Sequence, residues 1–356
     1  MSPVKSLAIT AALVVGCAAV ADAAPIARRR AINDSKAATS KRAQSRRVTP
    51  SESQRVRSQR TRLAASRKTA KGPRTIAKSF LPRWKILPKV TRKRPGLLFL
   101  LVDGSGSMNE EFAPGVKKSE SVAEVANDVL GSLVERFRAG NEVSDRLDVV
   151  ALRYGGDEVG NAFEGSLAGA SGPIEISKLD TAQVDSVERQ DDEGNTFTAK
   201  AWLTPGAPNG KTPMRKGFGE ALGAVRNWGR RPVGNEYLIL GVHVSDGKFT
   251  DADPSDQLGE LQEVARQQGG KLVMTNILLA KNGSTEKPIL FPTPEEAESF
   301  DEAGKLLFKL SSPVPESLAR QLGKGVIRPG ARMMAYNADP EGLEQVFVAG
   351  SSSAIE

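Results

Sequence analysis

Residues 103–107 read Asp-Gly-Ser-Gly-Ser and bring three oxygen-bearing side chains to alternating positions, namely Asp103, Ser105 and Ser107. The two intervening glycines free the backbone, so these side chains can converge on one point. Carboxylates and hydroxyls are hard oxygen ligands, which favour Mg²⁺, Mn²⁺ or Ca²⁺ over zinc or copper. The same composition is also typical of an ordinary turn. The structural context therefore has to decide between a metal loop and a plain turn.

The segment before this loop predicts where it lies in the fold. Leu97 to Val102 is a continuous apolar run of strand length, as expected for a parallel strand that is covered on both faces. Asp103 follows at once, so its side chain should emerge at the carboxyl end of the strand. In open α/β folds this is the edge of the sheet where ligands bind.

The rest of the chain alternates between strand and helix patterns. Strands are predicted near 147–153, 237–244 and 271–279, and amphipathic helices near 122–137, 214–228 and 257–268. Beyond residue 280 we expect helices near 295–310, 315–322 and 340–349 and a short strand near 333–336. This order predicts an α/β fold, a doubly wound and largely parallel sheet flanked by helices in the Rossmann manner.

The loop and its strand resemble the von Willebrand factor A-type (vWA) domain, whose metal-ion-dependent adhesion site reads Asp-x-Ser-x-Ser, then a distant Thr, then a distant Asp. Thr212, in Gly-Lys-Thr-Pro-Met, matches the threonine loop, and Asp246, in Val-Ser-Asp-Gly, matches the last position. The resemblance covers about residues 95–290 and is closest to bacterial members. It implies a metal set of Asp103, Ser105, Ser107, Thr212 and Asp246. The gap of 105 residues between Ser107 and Thr212 is longer than usual in the family.

The resemblance also implies a function. In the family the hydroxyls coordinate the ion directly or nearly so, the aspartates act largely through water, and an open position accepts an acidic side chain of a partner. We therefore expect a divalent-cation-dependent protein-binding module of the adhesion or scaffold type, loaded with Mg²⁺, Mn²⁺ or Ca²⁺, that captures an Asp or Glu of a protein partner and is not an enzyme.

Several of these residues also have simpler interpretations. Thr212 suits the N-cap of the helix that follows, and Asp246 suits a cap at a strand end. His243 lies three residues before Asp246 on the same strand and is predicted to be a packed sheet residue. Trp228 fits the apolar face of its helix and is predicted to lie in the core.

Two enzyme classes are alternatives to the binding module. Residues 205–212 come within one residue of a nucleotide-binding phosphate loop, but Pro205 stands where the first glycine belongs and blocks its backbone geometry. A phosphatase with an aspartyl nucleophile usually carries a second Asp two residues on, where this chain has Ser105. Neither class is predicted.

The first 23 residues resemble an export signal. An apolar run from Leu7 to Ala21 precedes a small-x-small site, Ala-Asp-Ala, with cleavage predicted before Ala24. The residues ending at Cys17 also resemble a lipoprotein box, whereas the three arginines at 28–30 favour an uncleaved anchor or a wrongly assigned start codon. The resemblance to an intracellular bacterial branch of the vWA family points instead to the cytoplasm. We expect an exported or membrane-anchored protein, with a cytoplasmic location as the alternative. Cys17 is the only cysteine, so an intrachain disulfide is excluded.

Charge divides the chain into a basic arm and an acidic body. Residues 28–94 carry 23 Lys or Arg against two acidic residues, whereas residues 95–356 carry 26 against 39. The arm, residues 24–94, is predicted to be disordered. It is either a solvated linker or a polycation that binds nucleic acid or anionic membrane without sequence specificity. The body is predicted as a vWA domain over 95–290, with an insertion at about 155–210 that carries a hairpin or long loops, followed by a helical extension over 291–350 that packs on it.

Overall fold

The computed structural model describes residues 87–190, 196–229, 237–247, 249–281, 283–322 and 327–352. The leader, Cys17 and the arm up to residue 86 lie outside these ranges. The strands are β1 Gly96–Asp103, β2 Glu111–Ala113, β3 Val116–Lys117, β4 Arg138–Ala139, β5 Glu142–Val143, β6 Leu147–Gly155, β7 Glu158–Asn161, β8 Ile174–Glu175, β9 Asp185–Gln190, β10 Thr196–Ala201, β11 Tyr237–Ser245, β12 Gly270–Leu279, β13 Ile289–Leu290 and β14 Met334–Ala338. The helices are α1 Lys118–Arg136, α2 Ile176–Thr181, α3 Met214–Trp228, α4 Ser255–Gln267, α5 Pro294–Ala297, α6 Glu302–Leu310, α7 Glu316–Gln321 and α8 Pro340–Ser352.

One mostly parallel sheet organises the described residues. Its strand order is β13-β14-β12-β11-β1-β6-β7, with β8 also paired to β6. The strands from β14 to β6 in this order are parallel to one another, and β13, β7 and β8 pair in the antiparallel sense. Strand β1 lies between β11 and β6, so the carboxyl ends of these three strands meet at one edge. The predicted α/β fold is confirmed.

Alternate residues of β1 belong to two apolar cores on opposite faces of the sheet. Leu98, Leu100 and Val102 pack on the face covered by α1 and α8, and Leu97, Phe99 and Leu101 pack on the face covered by α3 and α4. All eight residues of β1 are buried. Burial on both faces explains why this strand is a continuous apolar run rather than an alternating one.

Both ends of the described body differ from the predicted boundaries. Leu87 and Val90 are buried in the core on the α1 side, so the folded chain includes residues that were assigned to the arm. After residue 290, β14 pairs with β12 in the parallel sense and extends the main sheet. The short strand predicted near 333–336 is therefore present as β14, with Met334 and Ala335 buried within the sheet.

The region predicted as an insertion contains short elements between β6 and α3. They include an antiparallel pair formed by β9 and β10. Trp202, just after β10, packs in the core on the α1 side, and its indole N–H donates to the carbonyl of Leu179 at 2.8 Å. Among the helices of the described residues, none is both long and apolar enough to cross a membrane.

A line of polar side chains crosses the core on the α3 and α4 side. The Tyr154 hydroxyl and His243 Nε2 are 2.7 Å apart, and His243 Nδ1 lies 2.9 Å from Asn276 Oδ1. The Asn276 amide donates to the Ser311 hydroxyl at 2.9 Å. Burial lowers the pKa of His243 to about 4, so the ring is neutral at physiological pH. The predictions that His243 is a packed sheet residue and Trp228 a core residue are confirmed.

The low pKa of His243 predicts how acid affects folding. Between its unfolded pKa of 6.5 and its folded pKa of about 4, the unfolded chain takes up a proton that the folded chain excludes. Stability should therefore fall as the pH drops through this window, by up to about 3 kcal/mol from this residue. His243→Gln should remove that part of the pH dependence, measured by urea unfolding at pH 7.5 and 4.5.

Tyr154→Phe is the matched control, because it removes the neighbouring hydrogen bond without removing the titrating group. It keeps the imidazole and should therefore still lose stability on acidification. The prediction would be contradicted if the free energy of unfolding fell by the same amount between pH 7.5 and 4.5 in His243→Gln as in the wild type.

Candidate metal centre

The five residues predicted as metal ligands come from three loops at the carboxyl edge of the sheet. Asp103 is the last residue of β1, and Ser105 and Ser107 follow it. Asp246 directly follows β11, the neighbour of β1. Thr212 lies in the loop before α3.

Asp103 organises the first loop from inside. Its side chain is 1% exposed; one oxygen accepts the Ser105 backbone N–H at 2.8 Å and the other accepts the Ser245 hydroxyl at 2.7 Å. Burial raises the pKa of Asp103 to about 6, although these hydrogen bonds act in the opposite direction. A nearby dication would favour the charged form of such a carboxylate.

The hydroxyls of the first loop lead directly to Asp246. Ser105 Oγ and Ser107 Oγ are 3.2 Å apart, and Ser107 donates to Asp246 Oδ1 at 2.8 Å. The structure therefore brings four of the predicted residues into one hydrogen-bonded group, even though the chain separates Ser107 and Asp246 by 139 positions.

The second oxygen of Asp246 is bound by a lysine that the sequence analysis did not identify. Lys118 Nζ lies 2.9 Å from Asp246 Oδ2 and 2.7 Å from Glu110 Oε2. The predicted helix began at Val122, whereas α1 begins at Lys118. The sequence signal for the earlier helix start is Glu120. Its carboxylate accepts the Lys117 backbone N–H at 2.9 Å, an arrangement typical of the first turn of a helix.

The loop that carries Thr212 contacts the first loop through the backbone of other residues, and Thr212 itself makes no hydrogen bond to the group formed by Ser105, Ser107 and Asp246. Asn209 N–H donates to the Gly104 carbonyl at 3.0 Å, and Gly106 N–H donates to the Gly210 carbonyl at 3.2 Å. Thr212 is buried, and its backbone N–H donates to the Thr250 hydroxyl at 2.9 Å. The interpretation of Thr212 as a helix N-cap is wrong, because α3 begins after Pro213 and no side chain caps it.

Glycines allow these loops to lie against one another. A Cβ atom on Gly155, at the end of β6, would lie 2.4 Å from the carbonyl oxygen of Gly104. Gly210 has a φ of +59°, and a Cβ there would lie 2.9 Å from Gly156 Cα. Any larger residue at either position would have to push the loops apart.

The donor chemistry of this edge fits a hard dication. Ser105, Ser107 and Asp246 offer only oxygen atoms, which are the ligands that Mg²⁺ and Mn²⁺ accept in proteins. In the part of the chain that the structure describes, no group of three or more His, Cys, Asp or Glu side chains is arranged to hold a metal. The oxygen donors at this edge are hydroxyls together with few carboxylates.

A small cavity lies behind Asp103. It measures about 10 Å³ and is lined by Asp103, Ser119 and Arg153, among others. This is about the volume that one water molecule requires. The Ser119 hydroxyl is buried and makes no hydrogen bond within the protein, so it is available to such a water.

No family model and no curated protein sequence matches the chain. It is similar in structure to proximal thread matrix protein 1 from the mussel byssus, with a TM-score of 0.31 and 15% identity over 52% of this chain and 38% of that one. The manganese-loaded TRAP protein of Plasmodium vivax follows at 0.29 and 17%, over 52% and 57%. The PilB minor pilin of Streptococcus sanguinis aligns at 0.35 and 11%, over 73% and 61%.

Each of these superpositions spans less than two thirds of the neighbour's own chain. At TM-scores below 0.5 such likenesses carry no functional conclusion.

The contact between Gly155 and Gly104 predicts that substitution by alanine has very different effects on stability at two glycines of the β6–β7 hairpin. Gly155→Ala should lower the free energy of unfolding by about 1–3 kcal/mol, because the new methyl group overlaps the Gly104 carbonyl. Gly160→Ala, on β7, should stay within about 0.5 kcal/mol of the wild type, since nothing lies within 4 Å of its Cβ position. Urea unfolding of the two variants checks this. Equal stabilities would show that the loops are not in close contact at Gly104.

Proposed function

We propose that the carboxyl edge of the sheet is a divalent-cation site through which this protein binds an acidic side chain of a protein partner. The observation that carries the proposal is the continuous oxygen group formed by Ser105, Ser107 and Asp246. Asp103 supports the group from below, and the Thr212 loop lies against it. Mg²⁺ or Mn²⁺ is the proposed ion, with Ca²⁺ as the alternative.

Each residue has a defined task in this proposal. The Ser105 and Ser107 hydroxyls and the Thr212 side chain supply neutral ligands, and Asp246 supplies charge. Asp103 accepts the Ser105 backbone N–H and is buried, so in this proposal it orients the loop and does not contact the ion. A dication held by mostly neutral ligands remains electrophilic and attracts a partner carboxylate.

Loss of a ligand should weaken ion binding. Ser107→Ala and Asp246→Ala should each lower the affinity for Mn²⁺ by about tenfold or more, because each removes one of the few oxygen donors. Isothermal titration calorimetry on the full chain measures this. Asp157→Ala is the matched control, since it removes the same charge from an exposed side chain close to Lys211 in the threonine loop. A wild-type protein that binds neither Mg²⁺ nor Mn²⁺ would refute the metal site.

The partner half of the proposal needs a carboxylate probe. In the presence of Mn²⁺ the protein should be retained on immobilised polyglutamate, and a chelator should release the fraction of protein that is held through the site. The Asp246→Ala variant should show no such chelator-sensitive retention. Immobilised polyglutamine, which has no carboxylates, should also show none. Retention through the basic arm does not respond to the chelator and is therefore separated from the site.

The charge distribution favours a second proposal, in which the arm tethers the acidic body to nucleic acid or anionic membrane. A polycation that neutralises phosphates loses affinity steeply as salt rises. Binding to duplex DNA or to phosphatidylserine vesicles should therefore fall by orders of magnitude between 50 and 200 mM salt, roughly as for several phosphate contacts. Deleting residues 28–86 should abolish it, and this deletion spares Leu87 and Val90, which belong to the core. Binding that ignores salt or survives the deletion would discard the tether.

A further inference from the structure

Lys118 lies inside the candidate metal centre, where a buried cation needs an explanation. It is the first residue of α1, and its side chain is 1% exposed. Lysine is almost never buried to this extent unless it is paired. Its partners are Asp246, which is 7% exposed, and Glu110, which is 47% exposed.

The chain folds so that the ammonium reaches Asp246. Strands β2 and β3 pair as a short antiparallel ladder between Glu110 and Lys118. The ladder brings the two residues together, and the Lys118 backbone N–H donates to the Glu110 carbonyl at 3.0 Å. The backbone hydrogen bond fixes the main chain of Lys118 beside the site, and the two ion pairs fix its side chain within it.

The ammonium and a divalent ion require the same carboxylate. Asp246 Oδ1 accepts the Ser107 hydroxyl and Oδ2 accepts the Lys118 ammonium, so its charge is already compensated. An ion held by Ser107 and Asp246 would lie within a few ångströms of the Lys118 ammonium. Because the site is poorly hydrated, the two positive charges would repel each other. Glu110 offers the ammonium a second carboxylate, which is half exposed.

We propose that Lys118 is a tethered cation that competes with the divalent ion for Asp246 and so sets the ion concentration at which the site loads. Without the ion, the ammonium compensates the Asp246 charge and keeps the loops after β1 and β11 together. When the ion binds, the ammonium gives up Asp246 and retains Glu110. This inference rests on the proposed function, since it concerns the affinity of the same site.

A purely structural role for Lys118 leads to different expectations. If the lysine only anchors the start of α1, its loss loosens the loops and weakens ion binding. If it competes with the ion, its loss strengthens ion binding while it destabilises the protein in the absence of the ion. The sign of the change in affinity separates the two roles.

The test compares Lys118→Met with Lys118→Arg in the full chain. Methionine keeps the length and apolar stem without the charge, and arginine keeps the charge. Lys118→Met should bind Mn²⁺ more tightly by about ten- to a hundredfold in calorimetry, the range typical of changes next to metal ligands. In chelator its melting temperature should fall below that of the wild type, and Mn²⁺ should restore it. Lys118→Arg should stay within about threefold of the wild-type affinity, because the competing charge remains.

Two further variants serve as controls. Lys178→Met removes an exposed lysine that pairs with Glu175, and it should leave the Mn²⁺ affinity at the wild-type value. Lys118→Gln keeps a donor for Asp246 without the charge, and it replaces the methionine variant if that protein does not fold. Its Mn²⁺ affinity should also exceed that of the wild type.

The outcomes separate the inference from the proposed function. If the wild type binds Mn²⁺ and both neutral variants bind it equally or more weakly, Lys118 does not compete and only the inference is overturned. If the wild type does not bind Mn²⁺ but the neutral variants do, the competition is supported and the proposed function of the native chain fails. If none of the proteins binds Mn²⁺ or Mg²⁺, both are overturned.

Discussion

The Asp246 carboxylate is the point at which three separate segments of the chain meet. Its two oxygens bind the Ser107 hydroxyl of the loop after β1 and the Lys118 ammonium at the start of α1, and its backbone continues from β11. The side chain of Asp246 is only 7% exposed, and a carboxylate covered to this extent needs a charged or hydrogen-bonding partner. The arrangement of the loops at this edge is therefore constrained by the need to satisfy one negative charge.

The sheet supplies the rigid frame for that charge. Because β1 is parallel to both β11 and β6, the chain leaves all three strands at the same edge. The two apolar cores cover both faces of β1. The polar residues that follow the strands therefore lie at the edge of the sheet. The clustering of polar side chains at this edge is then a consequence of the same burial that stabilises the fold.

The close contact between loops depends on backbone rather than on side chains. Gly104 accepts a hydrogen bond from Asn209, and Gly106 donates one to Gly210, so the first loop and the threonine loop are joined before any ligand is considered. Such preformed contacts reduce the conformational entropy that an ion would have to overcome on binding. Lys118 adds a positive charge to this frame, which allows the protein to fold with Asp246 compensated.

The α/β class, the strands that end at this edge and the oxygen-rich loop of residues 103–107 could be predicted from the amino-acid sequence alone. Leu97–Val102 could be recognised as a doubly covered strand because its apolar run is uninterrupted, and α3 was predicted over the same residues that it occupies, 214–228. Asp246 and Thr212 were predicted through the vWA resemblance, and the structure places Asp246 against Ser107.

The pairing of Lys118 with Asp246 and the absence of a cap on α3 by Thr212 became visible in the folded chain alone. A lysine in a polar stretch looks like any solvated surface charge, because burial and pairing depend on residues far away in sequence; Lys118 and Asp246 are 128 positions apart. In the same way, the parallel pairing of β14 with β12 decided that the C-terminal segment extends the sheet. Local patterns fix periodicity and strand ends, whereas long-range pairing and charge compensation are settled only when the chain is folded.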